Sequence, residues 1–224
     1  MLEKSFKITE ESLRKAEFIE SQMELSSMNL HYHFIWDLVS SIEKEEITYL
    51  EIGCFAGGSS SLVSSHWKKT RVFSVDIGYH EYLPEGYLRS AERNVSKFKN
   101  PISSFVLIEG DSHADEIVNT TRKKIEESGG SVDILFIDGD HDYEGVMQDF
   151  LNYSTLIKSG GYVIFDDYLD WIYSPRVKHA VDNIVNNIIG KEYEILGSPD
   201  DEFKAKVGYS FPGGKNNCFV IKKK

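Results

Sequence analysis

A chain of 224 residues, 41% apolar and 27% charged, has the length and composition of one sizeable α/β domain with at most a small appendage. Its net charge of −11 argues against nucleic acid as the main partner, because phosphate binding draws on clustered Lys and Arg, and the basic run Lys222-Lys223-Lys224 reads as a solvated tail. No stretch approaches ~18 consecutive apolar residues, which excludes a membrane-spanning helix, and the charged opening MLEKSFKITEESLRK is not a signal peptide. Cys54 and Cys218 fall in distant parts of the pattern and read as free thiols of a reducing cytoplasm.

Helical and strand-like patterns alternate along the chain. Thr9 is placed to cap a first helix carrying Leu13, Ala16, Ile19 and Met23, and a second helix runs from about His31 to Lys44. ITYLEI (47–52) reads as a buried strand, followed by a glycine turn and a short helix with Leu62, Val63 and Trp67. RVFSVDI (71–77) is the second strand and, after a helix near 85–98, SFVLIEGD (104–111) is the third. A helix from Ser112 carries the capping pair Ser112/Asp115, and VDILFIDG (132–139) is the fourth strand. The next helix aligns Tyr143, Val146, Met147, Phe150 and Ile157, with Gly160-Gly161 as its terminator. GYVIFDDY (161–168) is the fifth strand, and Ser174-Pro175 opens a helix over Val177 to Ile188. YEILGS (193–198) and NCFVIKK (217–223) close the pattern around a glycine- and charge-rich loop. The expectation is a doubly wound α/β domain over 47–224 with a helical extension over 1–46.

Two acidic clusters follow buried strands directly: Asp138-Gly139-Asp140-His141 after Val132–Ile137, and Asp166-Asp167 after Tyr162–Phe165. Parallel sheets present their chemistry at the carboxyl ends of their strands, and neighbouring strands lie ~4.8 Å apart. Asp138, Asp166 and Asp167 would then share one small volume. Carboxylates pressed together repel unless something positive lies between them, and a hard divalent cation with oxygen ligands is the natural answer. Asp138 ends the apolar run and is the better ligand, although Asp140 stays open as its replacement or as a turn residue.

The segment EIGCFAGGSS (51–60) sits where a strand turns into a helix, the usual approach of backbone to a nucleotide-like ligand. The dinucleotide pattern G-x-G-x-x-G fails, because Phe55 stands two residues after Gly53. Glu51 would repel a pyrophosphate but suits a ligand with a cationic amino-acid head. Asp76, at the end of the next strand, is placed to take a ribose diol. A plain tight turn is the competing reading.

YLEIGCFAGGSS, Asp76, EGDS (109–112), DILFIDGDHDYEGVMQDF (133–150) and SGGYVIFDDY (159–168) together resemble a class I S-adenosylmethionine-dependent methyltransferase. The likeness, over roughly 47–185, is greatest to the metal-dependent branch of sugar O-methyltransferases, where macrocin O-methyltransferase is grouped with cephalosporin hydroxylase-like proteins. It departs from the general E/D-x-G-x-G-x-G loop at Phe55, with the paired Gly57-Gly58 following instead. The resemblance implies a mostly parallel seven-stranded Rossmann-like sheet whose last strand is antiparallel, S-adenosylmethionine as donor, and Mg2+ or a similar cation. It assigns Glu51, Gly53 and Gly57 to the methionine and ribose parts of the donor, Asp76 to the ribose, and Asp111 and Ser112 to the turn bordering the adenine. It assigns Asp138, Asp166 and Asp167 to the metal and His141 to the general base.

The expected partner is a small-molecule acceptor with neighbouring hydroxyls, a sugar or glycosylated metabolite. A catechol or phenolic acceptor, and a hydroxylase-like or nicotinamide-dependent enzyme on the same scaffold, are the alternatives. The loop aromatics Tyr79, Tyr82, Tyr168, Trp171 and Tyr173 suit stacking on an acceptor or contact between subunits, and a homo-oligomer is the assembly the resemblance favours.

Overall fold

A computed structural model describes residues 9–25, 32–79, 86–199 and 217–224. His31, residue 85, Tyr82 and most of the loop before Asn217 lie outside the described residues. The strands form one seven-stranded sheet in the order β3-β2-β1-β4-β5-β7-β6, the doubly wound α/β architecture expected. By contacts the chain divides into two compact units at Asp111–Ser112. No helix among the described residues is long and apolar enough to cross a membrane.

The first unit holds α1 (Glu10–Glu20), α2 (His33–Ser41), β1 (Glu46–Ile52), α3 (Gly58–Ser64), β2 (Lys69–Asp76), α4 (Leu88–Phe98) and β3 (Ser104–Glu109). β2 pairs in parallel with both β1 and β3. All but the first residue of β1 is buried, as a strand covered on both faces requires. Thr9 caps α1 as expected, its side chain accepting from Ser12 N. The carboxylate of Asp37 on α2 then takes Thr9 N at 2.9 Å and Thr9 Oγ1 at 2.8 Å, tying the two helices together. α3 stops at Ser64, so Trp67 lies beyond it with 57% of its surface exposed.

The end of α2 is held by a buried ammonium. Lys68 Nζ donates to the carbonyls of Val39, Ser40 and Ile42, acceptors that a helix terminus leaves without partners. Beside it, His66 Nδ1 accepts from Lys68 N at 3.0 Å, so Nε2 is the protonated nitrogen and donates to Ser40 Oγ at 2.9 Å. Burial, with Lys68 and Lys15 adding to it, lowers the His66 pKa to about 4. The unfolded chain therefore binds a proton near pH 6.5 that the folded one refuses until about pH 4, and stability falls as pH drops through that window. Urea midpoints measured from pH 7 to 4 are expected to fall less steeply in His66→Gln than in the wild type. Parallel slopes would remove His66 as a cause of acid lability.

The second unit holds α5 (Asp115–Glu127), β4 (Val132–Ile137), α6 (Tyr143–Tyr153), β5 (Ile157–Phe165), α7 (Val177–Asn183), β6 (Tyr193–Gly197) and β7 (Phe219–Lys223). β4 and β5 are parallel, and β7 runs antiparallel between β5 and β6. The antiparallel closing strand is the one expected.

Three local readings are corrected. α5 begins at Asp115 with Ala114 as its cap and no side-chain cap bond, because Ser112 spends its hydroxyl on Asp149 instead. α6 ends at Tyr153, and a tight turn over Ser154–Leu156 leads into β5, so Ile157 and Gly160-Gly161 belong to that strand. The glycine pair makes an irregularity in β5: Gly160 has φ +81°, and a Cβ at Gly161 would lie 3.0 Å from the Asp133 carbonyl. Finally, α7 starts at Val177 rather than at Pro175, with a π-helical turn over Ile184–Ile188 continuing it.

Candidate active site

In the first unit, β1 delivers its chain into a turn with positive φ at Gly53 (+82°), Phe55 (+46°) and Gly57 (+76°). At Gly57, any Cβ would meet the backbone and side chain of Ala91 at 3.2 Å, so α4 packs tightly against the loop there. The loop is held by Asp76. Its Oδ2 accepts from Cys54 N (2.8 Å) and Phe55 N (2.9 Å), and its Oδ1 from Gly78 N (2.9 Å) and Tyr87 OH (2.5 Å). Burial, with the hydrogen bond to Asp76 adding to it, pushes the Tyr87 phenol well up.

Glu51 is wholly buried and ringed by hydroxyls. Ser59 and Ser60 of α3 donate to it, as do Ser74 of β2 at 2.7 Å and Tyr49 at 3.2 Å. Burial raises its pKa, against those hydrogen bonds. Glu51 thus pins the start of α3 to β1 and β2. Asp111 is exposed beyond β3.

In the second unit, Ser112 donates to Asp149 Oδ1 at 2.7 Å, and its carbonyl accepts from Tyr153 OH at 2.9 Å. The ends of β4 and β5 bring Asp138, His141 and Asp167 together, with candidate ligand atoms all within 4.8 Å of one another. His141 Nε2 lies 3.5 Å from Asp138 Oδ1, and Nδ1 lies 3.5 Å from Asp167 Oδ2. Asp166 is buried and accepts the Cys218 thiol at 3.2 Å. Asp140 is instead an exposed turn residue, accepting from Asp142 N at 2.9 Å.

The electrostatics are those of crowded acids. Burial, then the charge of Asp166, raises Asp138 far above the usual carboxylate range, with His141 opposing. Burial alone would lower His141, but the hydrogen bond and charge of Asp138, with Asp167 and Asp166, outweigh it and push the imidazole up to about 9. Asp167 holds φ +55°, rare for a residue with a side chain and typical of places where backbone strain serves a site.

Sequence reasoning did not single out Tyr87, Asn217 or Cys218 for the site, and it took Ser174 only as a helix opening. Asn217 Nδ2 donates to Asp167 Oδ1 at 2.8 Å, and Ser174 Oγ donates to Asp167 Oδ2 at 2.6 Å. Among the loop aromatics, Tyr79 (72%), Trp171 (53%) and Tyr173 (85%) are exposed, whereas Tyr168 is tied to Asp182 at 2.9 Å.

The sequence matches the family described as "Methyltransferase domain" over residues 50–168. It is 33% identical, over 93% of its length and 94% of the relative's, to an uncharacterised protein of Acanthamoeba polyphaga mimivirus. Among solved structures, cofactor-bound Rv0187 from MTB superposes with a TM-score of 0.62 at 14% identity, covering 96% of this chain and 90% of that one. The O-methyltransferase from Bacillus cereus in complex with SAH follows at 0.60 and 15%, covering 96% and 92%. A glycine turn braced by a buried strand-end acid, on a sheet of this strand order, accords with both findings: the chain belongs to the methyltransferase-domain family and has the fold of the class I S-adenosylmethionine-dependent O-methyltransferases.

Proposed function

We propose that the protein transfers a methyl group from S-adenosylmethionine to a hydroxyl of a small molecule with neighbouring oxygens, a sugar or similar vicinal diol, with the help of a hard divalent cation such as Mg2+. The observation that carries this reading is the convergence of Asp138, His141 and Asp167 beside buried Asp166. Carboxylates crowded at the ends of two neighbouring strands, offering oxygen ligands, fit such a cation. Asp138, Asp166 and Asp167 would hold it, and there it would lower the pKa of an acceptor hydroxyl.

The chain's own groups do the rest. Burial favours a neutral His141 and only the neighbouring carboxylates keep it protonated. With their charge offset, the ring is free to take the hydroxyl proton near neutral pH. In the first unit, the turn from Gly53 to Gly57, with Asp76 and Asp111, receives the donor; in the second, the exposed Trp171 and Tyr173 offer faces to the acceptor. A second reading, His141 as a ligand of the cation, is favoured by its place in the 4.8 Å cluster.

Calorimetry is the first test. S-adenosylhomocysteine is expected to bind and NAD not to; the reverse would move the protein to a nicotinamide-dependent class. Methyl transfer is expected to stop in excess chelator and return with added Mg2+, and full activity in chelator would remove the cation from the proposal.

A further inference from the structure

Ser174 is 1% exposed, and its hydroxyl lies between two members of the acid cluster, 2.6 Å from Asp167 Oδ2 and 3.1 Å from His141 Nδ1. A hydroxyl has one proton. The 2.6 Å contact has the length of a hydroxyl donating to a carboxylate, so toward His141 the same oxygen can only accept. Nδ1 must therefore carry hydrogen, whether the ring is neutral or charged. In the neutral ring the lone pair therefore lies on Nε2, on the side of Asp138 Oδ1.

Asn217 completes the arrangement. It is 2% exposed, donates to Asp167 Oδ1 at 2.8 Å and accepts from Leu169 N at 2.9 Å. Both carboxylate oxygens of Asp167 are thus fixed from outside, and so is the backbone just after its left-handed conformation. A histidine whose second nitrogen is set by a hydrogen bond has a defined tautomer and ring orientation.

We propose that Ser174, supported by Asn217, is a positioning residue that orients Asp167 and commits His141 to work through Nε2. The proposal builds on the acid–imidazole site described above, and its test separates the two. In protein labelled with 15N-histidine, His141→Gln identifies the His141 signals among the seven histidines. Wild type and Ser174→Thr are expected to show a solvent-protected Nδ1–H proton that Ser174→Ala loses. With Mn2+ as probe, followed by electron paramagnetic resonance, Ser174→Ala is expected to bind at least ~10-fold more weakly, with Ser174→Thr restoring affinity. A wild type without hydrogen at Nδ1, or an Nδ1–H signal unchanged in Ser174→Ala, overturns the proposal even if that variant folds poorly, since the first result needs no variant. A wild type that shows the Nδ1–H proton but binds no Mn2+ supports the hydrogen-bond order and strikes the cation from the proposed function.

Discussion

Asp138→Asn, Asp166→Asn and Asp167→Asn are each expected to abolish detectable methyl transfer while leaving S-adenosylhomocysteine binding within a few-fold of wild type. Each change removes a negative oxygen from a cluster whose raised Asp138 pKa reflects both burial and the charge of Asp166. Cation affinity should fall by more than the ~10–100-fold that follows loss of an outer-shell partner. His141→Ala differs in kind. It should lower turnover by ~10²–10⁴-fold, the usual contribution of a positioned base, with cation binding largely intact. Rates and Mn2+ titrations on the same four variants decide the matter. Normal turnover in His141→Ala would refute the base, and lost Mn2+ binding there would make His141 a ligand.

Asp76→Ala is expected to reduce donor binding below detection. In the wild type this carboxylate holds two loop amides, the amide of Gly78 and the Tyr87 hydroxyl. Hydrogen bonds to a charged group contribute about 1.5–3 kcal/mol each, so the substitution frees the glycine turn and removes the proposed ribose partner together. Calorimetry with S-adenosylhomocysteine, beside a circular dichroism spectrum, is the measurement. An unchanged dissociation constant in a folded variant would detach this loop from the donor.

The alternation of strand and helix was legible because buried strands and amphipathic helices differ in period, and the strands came out within a few residues. What misled were residues with two uses. Gly160-Gly161 suits a helix terminus as well as a strand irregularity, and Ser112 suits a cap as well as a bond to Asp149. In the site, Asp138 and Asp167 could be read because each lies within two residues of the end of an apolar run. Asn217 could not, since its partner Asp167 is 50 positions away and nothing local marks it. Glu51 was read as facing a ligand, and only the three-dimensional placement of Ser59, Ser60 and Ser74 shows how much of it serves the fold.

The place of β7 in the sheet sets an order of assembly. β6 precedes β7 in the chain, yet it joins the sheet only through β7, which lies between it and β5. β6 therefore docks with or after β7, whose approach closes a long segment from β5, and such non-local closures are slow. Asn217 and Cys218, immediately before β7, bring one donor each to Asp167 and Asp166. Those two hydrogen bonds to the acids are therefore expected to form only when this closure completes. A folding intermediate with β4 and β5 paired but β7 undocked would carry the acidic cluster without its organisation, and cation binding should appear in the last kinetic phase of refolding.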